Sequence, residues 1–417
     1  MREALLPPLL AAFITPCLAQ VAPAQATQPA ALTLQQAIDQ ALARHPELAA
    51  AQSEVQAAEA ARLQAGARPN PVIEAELEDT RRETRSTTIL LTQPIELGGK
   101  RSARLDAADR AQDIARSQLA ARRSQLRAEV TAAFAQAQAA QERVRLADEA
   151  LQLARRGTEA ANRRVAAGKV APIEQTKAQV AEANVRLELG QARGELRAAL
   201  LALGAVVGTP RPVERVEGTV ALPPVPADET LHARLATAPA LRQAQLEVER
   251  LAALARLERA KRTPDVSVGL GARQSQELGR TQPMLVLSVP IPLFDTNRGA
   301  ELEALRRQDK ARYEAEAAAL RLRSEVAQAH ERLKAAVEEA EAVQRDVLPG
   351  AQVAYDAAAK GFELGKFSFL DVLDAQRTLL EARARHLRAT ADAHRAAAEL
   401  DRLLGDSPET SAPRAER

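Results

Sequence analysis

Residues 266–273 read Val266-Ser267-Val268-Gly269-Leu270-Gly271-Ala272-Arg273, an apolar side chain alternating with a small or polar one. Strict period-two alternation is the pattern of a strand with one buried face, here Val266, Val268, Leu270 and Ala272. Met284 to Val289 follows after a polar stretch and supplies a hairpin partner. Earlier in the chain the design recurs, with two segments of about ten residues near 71–80 and 86–94 joined by an Arg-rich turn.

Both hairpins belong to a longer repeat. His45-Pro46-Glu47-Leu48 with Gln52 corresponds to Ala238-Pro239-Ala240-Leu241 with Gln245 at an offset of 193, and Pro71 and Leu77 fall on Pro264 and Leu270 at the same offset. Pro94-Ile95 matches Pro290-Ile291, and Arg101-Ser102-Ala103 matches Arg298-Gly299-Ala300. Gly168-Lys169 matches Gly365-Lys366, and Gly208 matches Gly405, both at 197. Self-similarity at a fixed offset marks a duplicated structural unit. The spacing predicts a first copy over 27–208, a linker with five prolines over 209–228, a second copy over 229–405 and a tail over 406–417 without ordered structure.

Each copy reads helix, strand, strand, helix, helix. Residues 33–66 carry Leu and Val at helical spacing, and Arg68-Pro69-Asn70-Pro71 ends that helix. After each hairpin comes a proline with a glycine-containing turn, then about 65 residues without a breaker, close to 100 Å of helix at about 1.5 Å per residue. The Gly-Lys turn reverses the chain into a helix of about 36 residues, and the opening helix of about 34 residues covers the rest of the long one. The expectation is a rod, with the hairpin at one end and the Gly-Lys turn at the other.

Composition fits that reading. Of 417 residues, 93 are Ala and only 2 % are aromatic, which suits small-residue packing between long helices. The 57 Lys and Arg against 55 Asp and Glu leave a net charge of +2, neither a polybasic nucleic-acid binder nor an acidic tail. No run of 18 apolar residues is present, which excludes a transmembrane helix but says nothing of a β-barrel. Arg2, the apolar stretch Leu5 to Ile14 and Ala24-Gln25-Ala26 fit a secretory signal over 1–26. Cys17, the single cysteine, lies inside it, so the mature chain is expected to have neither disulfide nor thiolate chemistry.

Two hairpins give four strands, and transmembrane barrels begin at about eight. An open strand edge in lipid costs several kcal/mol per unpaired backbone group. If these strands lie in a membrane, the chain must pool them with other copies, and Val266, Val268 and Leu270 then face lipid. The alternative is a pair of soluble hairpins packed on helices.

The duplicated unit resembles the outer-membrane factor family, whose type member is the TolC channel, over essentially the whole mature chain. The segments Gln93 to Arg101, Val289 to Phe294, and Gly365 to Arg377 resemble its cobalt-zinc-cadmium branch, which serves heavy-metal RND pumps. The resemblance implies a mainly α fold with a small β part. It implies a homotrimer with a 12-strand outer-membrane β-barrel continued by a long α-helical periplasmic barrel. The implied partners are a periplasmic adaptor, an inner-membrane RND pump and outer-membrane lipid; no cofactor and no nucleic acid are expected. The implied function is a passive exit duct for heavy-metal cations. A duct for drugs or type I secretion is one alternative, and a periplasmic coiled-coil structural or adaptor protein without a pore is another.

A duct needs no nucleophile or base, and none is found, but it needs a closed end. Asp371 and Asp374 sit one turn apart at the start of the last helix and would repeat as stacked acidic rings in a trimer. The family's acidic constriction resembles this pair; Glu174 holds the matching place in the first copy, and Lys177 stands where the second acid would be. Ser368-Phe369-Leu370-Asp371 is also a capping-box sequence, a role compatible with a gate. Gly168-Lys169-Val170 and Gly365-Lys366-Phe367 resemble the tip to which the adaptor docks, although a glycine there also serves plain helix reversal. Where the type member links neighbouring helices through an aromatic hydroxyl and an Arg, this chain has Phe362 and Phe367. His45, His232, His330, His386 and His394 contain no i,i+4 pair, so no metal site is drawn and solvated positions on helix faces are expected. The lack of Trp sits awkwardly with the aromatic girdle of a barrel.

Overall fold

The computed structural model describes residues 31–79, 81–210, 212–218, 221–364 and 366–405, excepting the side chains of Glu363, Phe369 and Leu370. The proposed signal over 1–26, Gly365 of the second tip and the tail over 406–417 lie outside the described residues.

The first copy runs α1 (Leu34–Arg44), α2 (Pro46–Ala65), β1 (Val72–Glu78), β2 (Ser86–Ile95), α3 (Lys100–Ala166) and α4 (Pro172–Val207). The second runs α5 (Asp228–Ala236), α6 (Pro239–Ala260), β3 (Val266–Ser275), β4 (Arg280–Ser288), α7 (Arg298–Ala342), α8 (Leu348–Glu363) and α9 (Phe369–Leu404). The expected single opening helix is in fact two in each copy. Pro46 and Pro239 set the break, because the residue before proline is driven out of the helical region; His45 has ψ 127° and Ala238 ψ 138°. His45 also caps the new helix, its Nδ1 accepting from the Glu47 N–H at 3.3 Å.

The long helix of the second copy is also not uniform. Between α7 and α8, Val343–Val347 form a π-turn, with the Leu348 N–H bonded five residues back to Val343. Pro349, absent from the first copy, cannot donate to residue 345, and the wider turn absorbs that lost bond.

All four strands form one antiparallel sheet in the order β1-β2-β3-β4. Leu91 of β2 lies opposite both Ile73 and Leu270, and Leu270 lies opposite Leu285. The inner pair β2–β3 therefore joins the two copies, while β1 and β4 are edges. Every residue of β1 is exposed, on both faces. Pro94 is tolerated in the inner strand β2 because the β1 ladder has already ended, its first partner pair being Val72 with Thr92.

Helix packing repeats the duplication. α3 is flanked by α4 and by α2, and α6 packs on both α7 and α3. Leu126, Val130, Phe134, Leu203 and Val207 form one core with α1. Leu322, Val326, Leu333, Leu400 and Leu404 form its echo beside α5. The proline-rich segment between the copies is stitched down. Leu32 and Val216 form a bridge, with Leu32 N–H to Arg215 O at 3.1 Å and Glu217 N–H to Leu32 O at 3.0 Å, and Gln141 donates to Val216 O.

Two left-handed glycines separate local strain from packing. Gly98 (φ +69°) would place a Cβ 2.7 Å from Thr263 Cβ and 2.8 Å from Ala260 O, whereas Gly168 (φ +67°) has nothing within 4 Å. Gly168→Ala is expected to cost only the left-handed penalty, about 1 kcal/mol. Gly98→Ala also pushes the two copies apart and should cost at least about 2–3 kcal/mol. Urea-unfolding midpoints of the two variants check this ordering.

Candidate functional site

Two ends of the chain carry functional geometry. At the sheet end, alternation sorts the side chains into two faces. Ile73, Ala75, Leu77, Ile89, Leu91, Val266, Val268, Leu270, Leu285 and Leu287 share one, and the ladder register aligns them across all four strands. Large apolar groups stand in water here, with Ile73 73 % and Leu285 75 % exposed. The opposite face is mixed: Glu74, Glu76, Glu78, Thr88, Thr92, Ser267, Gly269, Gly271 and Arg273 share it with Val72, Leu90, Met284 and Val286. Gly271 leaves room for Leu90; a Cβ there would meet Ile89 O at 2.3 Å. Glu78 pairs with Arg273 and accepts from the Ser86 hydroxyl at 3.2 Å. The glutamate column escapes a repeat-based reading because its counterparts at offset 193 are Ser267, Gly269 and Gly271; period-two alternation alone finds it.

Below the sheet, strands give way to helices through a charge network. Lys100 Nζ donates to Asp265 Oδ1 at 2.7 Å, and the Leu97 N–H reaches the same oxygen at 3.0 Å. Arg104 grips Glu96 in a two-pronged pair, one arm 2.9 Å, and also donates to Ala65 O and Ala67 O. The segment Gln93 to Arg101, met in the sequence as a family marker, thus ties the exit of the first hairpin to the approach of the second.

At the opposite end are the helix reversals. The first has the paired bonds of a glycine cap, Lys169 N–H to Arg164 O at 2.9 Å and Gly168 N–H to Val165 O at 2.9 Å. The second repeats the outer bond, Lys366 N–H to Gly361 O at 2.8 Å. Phe367 lies across Gly361, where a Cβ would stand 2.1 Å from its ring. Arg164 of the first copy sits 4.2 Å above the Phe362 ring of the second and donates to Phe362 O at 3.2 Å. This link between the copies was not readable from sequence, since nothing in either local motif pairs positions 198 residues apart.

Of the sequence-predicted gate residues, Asp371 forms a full capping box, accepting from the Ser368 N–H at 2.7 Å while its own N–H donates to Ser368 Oγ at 3.3 Å. Asp371 and Asp374 are both exposed one turn apart, and Glu174 pairs with Lys177 at 3.3 Å on its own helix. Lys169, Lys366 and Phe367 are exposed at the reversals and Val170 is half-buried. The expectation of solvated histidines on helix faces fails for three of the five. His394 is buried, His330 Nε2 lies 3.1 Å from Pro226 O, and His386 Nδ1 lies 3.1 Å from Ala340 O. Among the described residues no group of three His, Cys, Asp or Glu could hold a metal, and no helix is long and apolar enough to cross a membrane.

The sequence matches the family described as outer membrane efflux protein twice, over residues 37–209 and 230–406. It is 41 % identical over 387 residues to the cobalt-zinc-cadmium resistance protein CzcC of Cupriavidus metallidurans, covering 92 % of each chain. It is 33 % identical over 283 residues to the nickel and cobalt resistance protein CnrC of the same organism, 65 % of this chain and 66 % of that one. In structure it resembles CusC (TM-score 0.76, 20 % identity, 90 % of this chain and 92 % of that one). The outer membrane protein VceC of Vibrio cholerae is similar (TM-score 0.74, 20 % identity, 89 % and 96 %). At that identity the structural likeness is one of fold.

Hydrogen bonds from Arg104 outweigh burial and hold the Glu96 carboxyl below its ordinary range. Burial pushes Asp265 upward most strongly, yet Lys100, the Leu97 N–H and Arg104 together bring it below its ordinary range. Both groups bind protons less readily folded than unfolded. Their contribution is therefore complete above the usual carboxylate range and is lost as the pH falls through about 4 and below. Protease sensitivity at the junction, followed from about pH 6 to about pH 3, should rise over that window. The variant Glu96→Gln/Asp265→Asn should be more sensitive at neutral pH and show a flatter pH profile.

Proposed function

The chain belongs to the outer membrane efflux protein family, and we propose that it is the exit-duct subunit of a tripartite RND-type efflux system that discharges heavy-metal cations. The observation that carries this reading is a four-stranded sheet with one uniformly apolar face, one mixed face that carries three glutamates, and two free edges, continued into a helix of 67 residues. Such a sheet is stable in lipid only when its edges are paired. Three copies supply 12 strands, with the apolar face toward lipid and the glutamate-bearing face toward the lumen. The helices extend from it into the periplasm. A pore-free periplasmic adaptor has no use for an apolar sheet face, and membership of this family sets that alternative aside. Transport through such a duct is passive and calls for no catalytic residue.

Heavy-metal cargo is supported by the identity to CzcC, whose name records cobalt, zinc and cadmium resistance. The negative column Glu74, Glu76 and Glu78 in the lumen and the exposed pair Asp371 and Asp374 at the far end suit cations. With Glu174, that pair forms the periplasmic gate, Asp371 serving as helix cap and ring member together. Gly168, Lys169, Val170, Gly365, Lys366 and Phe367 form the tip that meets the adaptor, which in turn contacts the inner-membrane pump.

A strain lacking the gene should lose tolerance to cobalt, zinc or cadmium and regain it on complementation; loss of tolerance to organic drugs alone would assign the duct to another cargo. In single-channel recordings Asp371→Ala/Asp374→Ala should lower cation preference several-fold and weaken block by divalent ions, and unchanged selectivity would remove these residues from the gate. Photocrosslinkers at positions 170 and 367 should capture the adaptor.

A further inference from the structure

The seam between the two copies inside one chain is ionic below the sheet. From the sheet downward it contains Lys100–Asp265 (2.7 Å), Asp106–Arg256 and Arg110–Glu249 (3.2 Å). Here α6 of the second copy lies against α3 of the first. The duplication implies a second seam of the same construction, in which α2 and β1 lie against α7 and β4. Within one chain that seam does not exist, since α2 packs on α3 and not on α7, and β1 and β4 are opposite edges.

Carrying the ion pairs across by the offsets of 193 and 197 changes their chemistry. Asp265, Arg256 and Glu249 become Val72, Leu63 and Gln56, while Lys100, Asp106 and Arg110 become Asn297, Glu303 and Arg307. None of the three pairs survives as an ion pair. Val72 and Leu63 replace two of the charged partners, and the turn before Asn297 adds Leu293 and Phe294; in the single chain Leu63 is 71 % exposed, Leu293 74 % and Phe294 100 %. Leu293 occupies the position of Leu97, the residue whose turn abuts Thr263 in the intrachain seam, and Phe294 follows it in that turn. The counterpart of Thr263 is Asn70, between Pro69 and Pro71.

We infer that the seam between copies of this chain is closed below the barrel by an apolar clasp, with Phe294 and Leu293 of one copy seated on the Pro69 to Val72 segment and Leu63 of the next. This rests on the channel reading and specifies its contacts. Over the strands the offset is the 196 that matches Pro94-Ile95 to Pro290-Ile291, and it fixes the register. Leu91 opposite Leu270 becomes Leu287 opposite Leu77, both exposed and both on the apolar face. A slip of one residue would put them on opposite faces. In this register Pro283 of β4 stands opposite position 81, past the end of β1 at Glu78, so its missing N–H interrupts no ladder. Lipid is the rival occupant of Phe294. The intrachain seam favours protein, because Leu97, the counterpart of the adjacent Leu293, is 39 % exposed with its neighbour present against 74 % for Leu293.

The test separates the clasp from the assembly. Oxidation of Leu77→Cys/Leu287→Cys in outer membranes should link chains into trimers. The chain has no Trp, so Phe294→Trp is a unique fluorophore. Its emission should be blue-shifted in the assembled protein and unaffected by brominated lipid. Phe294→Glu should raise the monomer fraction at least about tenfold. In the native chain, trimer dissociation should change little between about 0.1 and 1 M salt. Quenching of the Trp by brominated lipid, or a Phe294→Glu trimer as robust as the native one, overturns the clasp while the 77–287 link leaves the channel standing. Failure of that link in a monomeric protein overturns both.

Discussion

The unpaired backbone of β1 and β4 is the constraint on which the structure depends. A strand edge in water is satisfied by solvent, but in hydrocarbon each free N–H or C=O costs several kcal/mol. Four strands cannot curl far enough to satisfy one another. The chain therefore stops short of a finished fold: its sheet presents a row of Ile, Leu and Val side chains on one side and no closure at either edge. Membrane insertion and assembly become one event, because neither the apolar face nor the edges are stable alone. This also explains why a chain with mean hydropathy of −0.26 and no spanning helix among its described residues belongs to the outer membrane.

Below the sheet the problem is one of joining two periodicities. A strand advances about 3.3 Å per residue and a helix about 1.5 Å, so the change must occur in a few rigid residues. Gly98 and Gly99, both left-handed, make the turn, and Lys100, Arg104, Glu96 and Asp265 lock it with charge-assisted bonds. Farther along, alanine lets helices approach closely, with Ala37, Ala41 and Ala137 fully shielded in one core and Ala238, Ala329 and Ala393 in the other. Packing of this kind buries little area per residue, so length rather than bulk supplies the stability.

Much of this was legible in the sequence, and the reason is that periodicity and chain reversal are local. Val266 to Arg273 declared a strand, and the Gly-Lys turns set helix ends at 166 and 172 in one copy. The breaks at His45 and Ala238 were equally local, since each precedes a proline, but helical spacing on both sides masked them. Pro349 should have signalled the π-turn for the same reason. What sequence could not reveal were pairings between the copies. Arg164 over Phe362 and Lys100 with Asp265 join residues 198 and 165 positions apart. Each side of such a contact, read alone, is an ordinary exposed charge or a helix-end aromatic.

The histidines bear on how such a duct can favour metal cations. His45 caps a helix, while His330 and His386 approach backbone carbonyls, so their ring nitrogens are engaged in holding the fold. In the proposed trimer the acids facing the passage are carboxylates with no imidazole or thiolate beside them as a co-ligand, a donor set that holds transition metals weakly. Conduction requires attraction strong enough to admit a cation and weak enough to let it leave. A ligating site in the wall would trap the very ions to be discharged. In the proposed trimer, rings of carboxylate about the three-fold axis would concentrate cations without binding any one of them, which would leave selection among metals upstream of the duct.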